Sequence, residues 1–527
     1  MEIALSPLEF ARRARRVHGQ REAVVDGDTR LNYEQFLDLC DRWSHGLQAM
    51  GVGFGDRVAY IAPNTLSNLV GYYAVPQIGA VLVPINYRLA AREFEYILNH
   101  CGARVVCVHA DYLDMVDSIR ADIPDVERFV ALSGNEDGAR DNWEDYETLV
   151  SAASAGYDAP EISENDLITI NYTSGTTSRP KGVMMTHRNA YMNVVGTLMH
   201  QPFTPADRYL WTLPMFHANG WTFVWNITAA GGTHICLPQV VPEEIFRLMN
   251  AENVTFFCAA PTVLIMIANA PDALRKTAPK GLKLFTAGAP PAAATIERIE
   301  GELGWEITQV YGATETAPFI SICEPLPEHD ALSASDRASL KARQGVELMT
   351  SGELRVMTED GQFVPHDGES LGEIVVRGNV VMKGYYNDPE NTEKALAGGW
   401  YHTGDAAVVH PDGYIEIRDR FKDVIISGGE NISSVEVEGV LLRHPDVVEA
   451  GVVGMPHEQW GESPHAFVVR KPGADLSEEA LKEFMRDNLA HFKTPKWFTF
   501  VDELPKTATG KIQKFVLREN KAGINAQ

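Results

Sequence analysis

The feature that most restricts what this chain can fold into is a repeated alternation of short, apolar, β-branched runs with helical stretches. Residues 56–62, 80–85 and 104–108 read as buried strands, each followed by a helical pattern. The rhythm resumes at residues 209–213, 233–237, 254–258, 283–287 and 307–311. Strand, helix and strand in succession imply a parallel sheet covered by helices on both faces, so the alternation predicts a doubly wound α/β architecture. In such sheets ligands gather at the carboxyl ends of the strands.

With 527 residues, 45% of them apolar, the chain is long enough for two to four domains. From about residue 352 the texture changes to short strands and turns, with a hairpin about Asp412-Gly413. A charged joint, Arg418-Asp-Arg-Phe-Lys-Asp423, then precedes a small α+β region. The expected division is an N-terminal domain over 1–421 with a β-rich subdomain at about 345–421, joined by a hinge to a mobile C-terminal domain over 422–527. A balance of 46 basic against 71 acidic residues, net −25, argues against general binding to nucleic acid or anionic membranes. An anionic substrate must then meet a local positive site. The six cysteines show no metal or redox spacing and read as reduced core thiols. The longest apolar run is broken by Pro76 and Gln77, so no membrane span is expected. Neither Met1-Glu-Ile-Ala-Leu-Ser6 nor residues 523–527 match a targeting signal, and the expected compartment is the cytoplasm.

One loop carries the densest chemistry. Tyr172-Thr-Ser-Gly-Thr-Thr-Ser-Arg-Pro-Lys-Gly182 follows a predicted strand at 166–172 and precedes a stretch, 184–190, that opens a helical pattern. In such a strand-loop-helix unit, backbone N–H groups, the Ser174, Thr176 and Thr177 hydroxyls and the Lys181 ammonium can face one polyphosphate. Pro180 before Lys181 departs from the Walker A pattern, which disfavours an ordinary P-loop kinase. Taken alone, the run reads equally well as a polar surface turn.

Three strand ends add to it. Leu213-Pro-Met-Phe-His-Ala-Asn-Gly-Trp221 carries an imidazole and two large aromatics; Thr286-Ala-Gly-Ala-Pro290 is small enough for a flat ring to lie on backbone; Tyr311-Gly-Ala-Thr-Glu315 brings an aromatic, a hydroxyl and a carboxylate. Alone, His217 would read as a structural histidine and Glu315 as a solvated acid. Their shared position favours function.

Together with Tyr401-His-Thr-Gly-Asp405, Arg418-Asp-Arg-Phe-Lys-Asp423 and Pro505-Lys-Thr-Ala-Thr-Gly-Lys511, these motifs make nearly the whole chain resemble the adenylate-forming superfamily of acyl-CoA synthetases, peptide-synthetase adenylation domains and beetle luciferases. The resemblance implies two steps: a carboxylate attacks the α-phosphate of ATP to give acyl-AMP and pyrophosphate, and a thiol then displaces AMP. It implies that Lys511, otherwise a solvated tail lysine, bridges carboxylate and α-phosphate. It assigns Glu315 to Mg²⁺, Thr314 to a phosphate contact, and Thr173, Ser174, Gly175, Thr176, Thr177 and Lys181 to the phosphate loop. Gly288, Ala289, Pro290 and Tyr311 would frame adenine, with Gln309 and Gly312 in the same nucleotide-binding set. Asp405 would accept hydrogen bonds from the ribose hydroxyls, with Arg420 a nucleotide contact beside it. Lys422 falls at the hinge, and Gly428, Gly429 and Glu430 on the loop that would meet the CoA thiol. Ser178 stands where many members have glycine, which would stiffen the loop.

Ala342-Arg-Gln-Gly345 and the stretch from Phe216 to Trp221 look most like the branch acting on short- and medium-chain fatty acids, methylthio-acids and some aryl acids. His217, Trp221 and Trp225 would line the acyl pocket; the two tryptophans sit at helical spacing, so either could equally be plain core. The resemblance thus implies an ATP-dependent, AMP-forming acid-thiol ligase, expected as a homodimer. The alternatives are a stand-alone enzyme loading a carrier protein and, from another class, a non-catalytic nucleotide-binding scaffold.

Overall fold

The computed structural model describes residues 2–132, 140–154, 156–173, 179–288, 291–428, 430–507 and 511–519. Two large sheets form the N-terminal part, one of eight strands and one of nine. In the first, Arg57–Ile61 pairs in parallel with Val81–Ile85 and with Ala103–His109, and Val81–Ile85 runs parallel to Leu167–Thr173. In the second, Arg208–Leu210, Thr233–Ile235, Phe256–Ala259, Lys283–Thr286 and Glu306–Gly312 are parallel. The predicted alternation is realised twice.

The helix Leu66–Gln77 is buried along its length from Ser67 and packs between the sheets, against Val81–Ile85 on one side and Glu22–Asp26 on the other. Its apolar residues surround it on all faces because both faces meet protein. An aromatic chain of Tyr209, Phe223, Phe256, Phe285 and Phe319, with successive ring centroids 4.8 to 6.0 Å apart, fills the adjoining core. All six cysteines are buried and free.

The structure departs from the sequence pattern after the phosphate loop. Lys181–Thr186 is a strand that folds back antiparallel on Leu167–Thr173, so the loop closes a hairpin and does not open a helix. Pairing with Leu167–Thr173 wins at residues 181–186, and Val183 and Met185, two apart on the strand, are buried in the core. A reciprocal cap between Thr186 and Asn189 then places the helix start at His187. A helix N-terminus immediately after the loop, which the sequence pattern offered to a phosphate, is therefore not there.

Glu353–Met357, Gly372–Arg377, Tyr401–Val409 and Ile415–Arg420 form an antiparallel four-stranded sheet. Beyond it, a five-stranded sheet and the helices Ser434–Leu441 and Glu478–Asn488 enclose their own core of Ile425, Val437, Val452, Val468 and Phe498. Among the described residues no helix is long and apolar enough to cross a membrane.

Candidate active site

The site is built outward from the end of Glu306–Gly312. A Cβ on Gly312 would stand 1.8 Å from the Pro318 carbonyl oxygen, so only glycine lets the chain turn back on itself here. The turn closes through Ala313 N–H donating to Pro318 O at 3.1 Å and to Thr316 Oγ1 at 2.9 Å. It presents Thr314 and Glu315. Burial pushes the Glu315 carboxyl up, opposed by a 3.0 Å hydrogen bond from the Tyr385 hydroxyl and by the charges of Arg420 and Lys181. The Lys181 ammonium lies 5.0 Å from the Tyr385 ring centroid, so the lysine that closes the phosphate loop and the Glu315 carboxylate share one neighbour. Tyr385 was not singled out from sequence: it is uncharged and sits in a two-residue strand, and only the pairing of Gly384–Tyr385 with Lys181–Thr186 brings it here.

A second cluster lies across the joint between the large sheets and the antiparallel sheet. The Tyr311 hydroxyl donates to Asp405 Oδ2 at 2.7 Å. Arg420 faces Asp405 across the register of their strands, with Nε 3.2 Å from Oδ1, an ion pair without hydrogen-bond alignment. Asp405 therefore keeps acceptor capacity. Nearby, Gln309 and Thr286 are in register on adjacent strands, and both are buried with Gln309 Oε1 and Thr286 Oγ1 lacking hydrogen-bond partners among the described residues. Two orphaned polar atoms at the carboxyl end of a parallel sheet suit a nucleobase that would satisfy them. Thr286 opens the Thr286–Pro290 stretch that the sequence marked for its small residues, but the sequence assigned no role to its hydroxyl.

Lys511 reaches this region from the far end of the chain. Burial, then the Arg420 charge, pushes its ammonium down to about 8, against the pull of Asp405 and Asp423. Among the described residues it makes no ion pair, so an incoming anion would be its partner. Its charge also reaches His217, which burial, then Lys511, holds down at about 4. The imidazole is neutral near pH 7.

After His217 the backbone turns left-handed: Ala218, Asn219, Gly220, Trp221 and Thr222 have φ of 39°, 52°, 54°, 53° and 65°. Each non-glycine residue there costs about 1–2 kcal/mol. Buried contacts hold the run, including Asn219 Nδ2 donating to Thr169 Oγ1 at 2.9 Å, and a Cβ on Gly220 would meet the Trp211 ring at 2.5 Å. Handedness changes before the helix Phe223–Ala230, so Trp221 and Trp225 do not share one helical face. Trp221 packs edge-on to Phe319 with centroids 5.7 Å apart, and fully buried Trp225 stands edge-on to Tyr72 at 6.3 Å.

Gly288, Lys422, Gly428 and Glu430 are exposed. Ser174, Gly175, Thr176, Thr177, Ala289, Pro290 and Gly429 lie outside the described residues.

The sequence model for AMP-binding enzymes matches residues 10–386, and that for the AMP-binding enzyme C-terminal domain matches residues 436–511. The chain belongs to the AMP-binding enzyme family. Among its relatives, the peroxisomal trans-cinnamate:CoA ligase of Petunia hybrida is 38% identical over 98% of this chain and 94% of its own length. The 4-hydroxybutyrate–CoA ligase 2 of Metallosphaera sedula is 41% identical over 99% and 96%. The crystal structure of the anthranilate CoA ligase AuaEII in complex with anthranoyl-AMP superposes on this AMP-binding enzyme with a TM-score of 0.88, at 25% identity and 98% coverage of both chains. The α/β fold, with its large N-terminal and small C-terminal parts, is that of the adenylate-forming superfamily.

Proposed function

We propose that this AMP-forming acid-thiol ligase activates a small, medium-chain or aryl carboxylic acid with ATP and passes the acyl group to CoA. The observation that carries this reading is the convergence of Lys511 with Asp405 and Arg420, whose charges act on its ammonium, and with His217, on which the Lys511 charge acts in turn, all from distant parts of the chain. In the first step a carboxylate oxygen bonds to the α-phosphorus and pyrophosphate leaves. Two anions must meet, and the Lys511 ammonium neutralises both as Lys181 holds the departing phosphates. Contacts of this kind are worth about 3 kcal/mol or more in a transition state. Asp405 accepts the ribose hydroxyls, and Gln309 and Thr286 meet the base. In the second step the CoA sulfur bonds to the acyl carbon and AMP leaves.

A Mg²⁺ ion fits the donor set: Glu315 offers a hard carboxylate with only Oε1 engaged by Tyr385, and substrate phosphates would complete a shell this ion prefers. When bound it supplies charge neutralisation on the phosphates. Among the described residues no group of three acidic, histidine or cysteine ligands exists that would hold a metal without substrate.

Trp221, packed edge-on against Phe319, is a large side chain close to His217 in the sequence that would shorten an acyl site there, which favours a short or flat acid over a long chain. Relatives that act on cinnamate and on 4-hydroxybutyrate bracket that range. We further propose a cytoplasmic homodimer; the buried free thiols suit a reducing compartment, whereas the petunia relative is peroxisomal. Fractionation and sedimentation test these two points.

The deciding experiment is pyrophosphate release with ATP and Mg²⁺ over short, medium, long and aryl acids, with and without CoA. CoA-dependent turnover peaking at short or aryl acids is expected. Release indifferent to CoA would replace CoA with a carrier-protein acceptor, and silence across the panel would leave a scaffold.

A further inference from the structure

We propose that Asp419, Ser434 and Lys514 form a positioning relay that holds Lys511 in the adenylating site, an inference that rests on the function proposed above. Asp419 is buried in the strand Ile415–Arg420, where it pairs with Ala406 next to Asp405. Its Oδ1 accepts the Arg420 N–H at 2.8 Å. Its Oδ2 accepts two hydrogen bonds from Ser434, the N–H at 2.7 Å and the side-chain hydroxyl. Ser434 opens the helix Ser434–Leu441, so the carboxylate also satisfies a backbone N–H that a helix start leaves free.

The same serine oxygen accepts a hydrogen bond from the Lys514 ammonium, whose other partner is Glu438 at 2.9 Å. Lys514 begins the helix Lys514–Glu519, just beyond Lys511. Carboxylate, hydroxyl and ammonium thus run in line from the strand beside the ribose-binding acid to the segment that carries Lys511. Two further ties reinforce it, Ser433 Oγ donating to Arg418 O and Arg518 Nη2 pairing with Asp423 at 2.6 Å. A buried charged line is a costly way to hold two elements together when apolar packing would serve, and its advantage is a fixed direction. Here the direction is that of the lysine.

Joining two anions needs the Lys511 ammonium, whereas thiol attack on ready-made acyl-AMP does not. Loss of the relay should therefore slow the first step and spare the second. The test uses the full-length enzyme and measures acyl-AMP formation from ATP and acid, and thioester formation from supplied acyl-AMP and CoA. Asp419→Asn and Ser434→Ala are expected to slow the first about tenfold or more, the size of a lost charge-assisted hydrogen bond. The second step should change by less than about twofold. Ser434→Thr, which keeps the hydroxyl, should restore the rate. Because the relay acts through Lys511, adding Asp419→Asn to Lys511→Ala should cause no further loss. Equal loss in both steps, no loss in either, or an additive loss in the Lys511→Ala background overturns the relay. Should Asp419→Asn not fold, Ser434→Ala and Ser434→Thr decide the matter alone. A wild-type enzyme that makes no acyl-AMP overturns the functional reading, and the relay with it; an active wild type whose variants lose both steps equally overturns the relay only.

Discussion

The Tyr311 hydroxyl donates to Asp405 Oδ2 over 2.7 Å, across a separation of 94 residues. This bond joins the end of a parallel strand to the antiparallel sheet and orients a carboxylate with oxygen lone pairs still free. Tyr311→Phe removes one hydrogen bond to a charge and leaves Asp405 free to rotate. The KM for ATP should rise about tenfold, with a smaller effect on the KM of the acid. Steady-state kinetics with each substrate varied would show it, and equal increases for both would count against a ribose-binding role for Asp405.

Lys511 sets an alkaline limit. It is a cation below about 8 and loses its charge as pH rises through that value in the free enzyme. In the proposed reaction only the cation serves acyl-AMP formation, so kcat/KM for that step should fall above pH 8. Lys511→Arg, which stays charged over the whole range, should retain some activity and lack the fall. His217, held at about 4, is neutral throughout pH 5–8 and should add no inflection there. His217→Gln should keep the same profile shape.

Glu315→Gln keeps the size of the side chain and its acceptor for Tyr385 but removes the charge. The concentration of Mg²⁺ needed for half-maximal acyl-AMP formation should rise by about tenfold or more. A metal titration monitored by pyrophosphate release measures this directly. An unchanged midpoint would remove Glu315 from the metal site.

Gly312→Ala tests the turn that presents Glu315. The added methyl meets backbone at 1.8 Å, and backbone cannot swing aside as a flexible side chain can. A loss of more than about 2 kcal/mol is expected in urea unfolding, together with loss of acyl-AMP formation. Native stability in this variant would mean that the turn relaxes freely.

The sequence by itself determined the parallel sheets, the change to antiparallel strands and the set of polar residues at strand ends, because periodicity and turn residues act over short distances. Runs such as 104–108 have one way to bury their side chains, and the observed strand Ala103–His109 follows. The motif that ends in Lys511 stood out for the same reason, as a local pattern. Only the tertiary structure decided what those residues meet. Lys181–Thr186 became a strand and not a helix because a neighbouring strand offered it hydrogen-bond partners. The left-handed run from Ala218 to Thr222 is set by surrounding contacts against the local preference of its residues. Tyr385 beside Glu315, Gln309 beside Thr286, and Asp419 linked through Ser434 to Lys514 are pairings between distant segments. Hydrogen bonds and buried charges depend on distances of a few ångströms between groups far apart in the chain, and folding alone sets those distances.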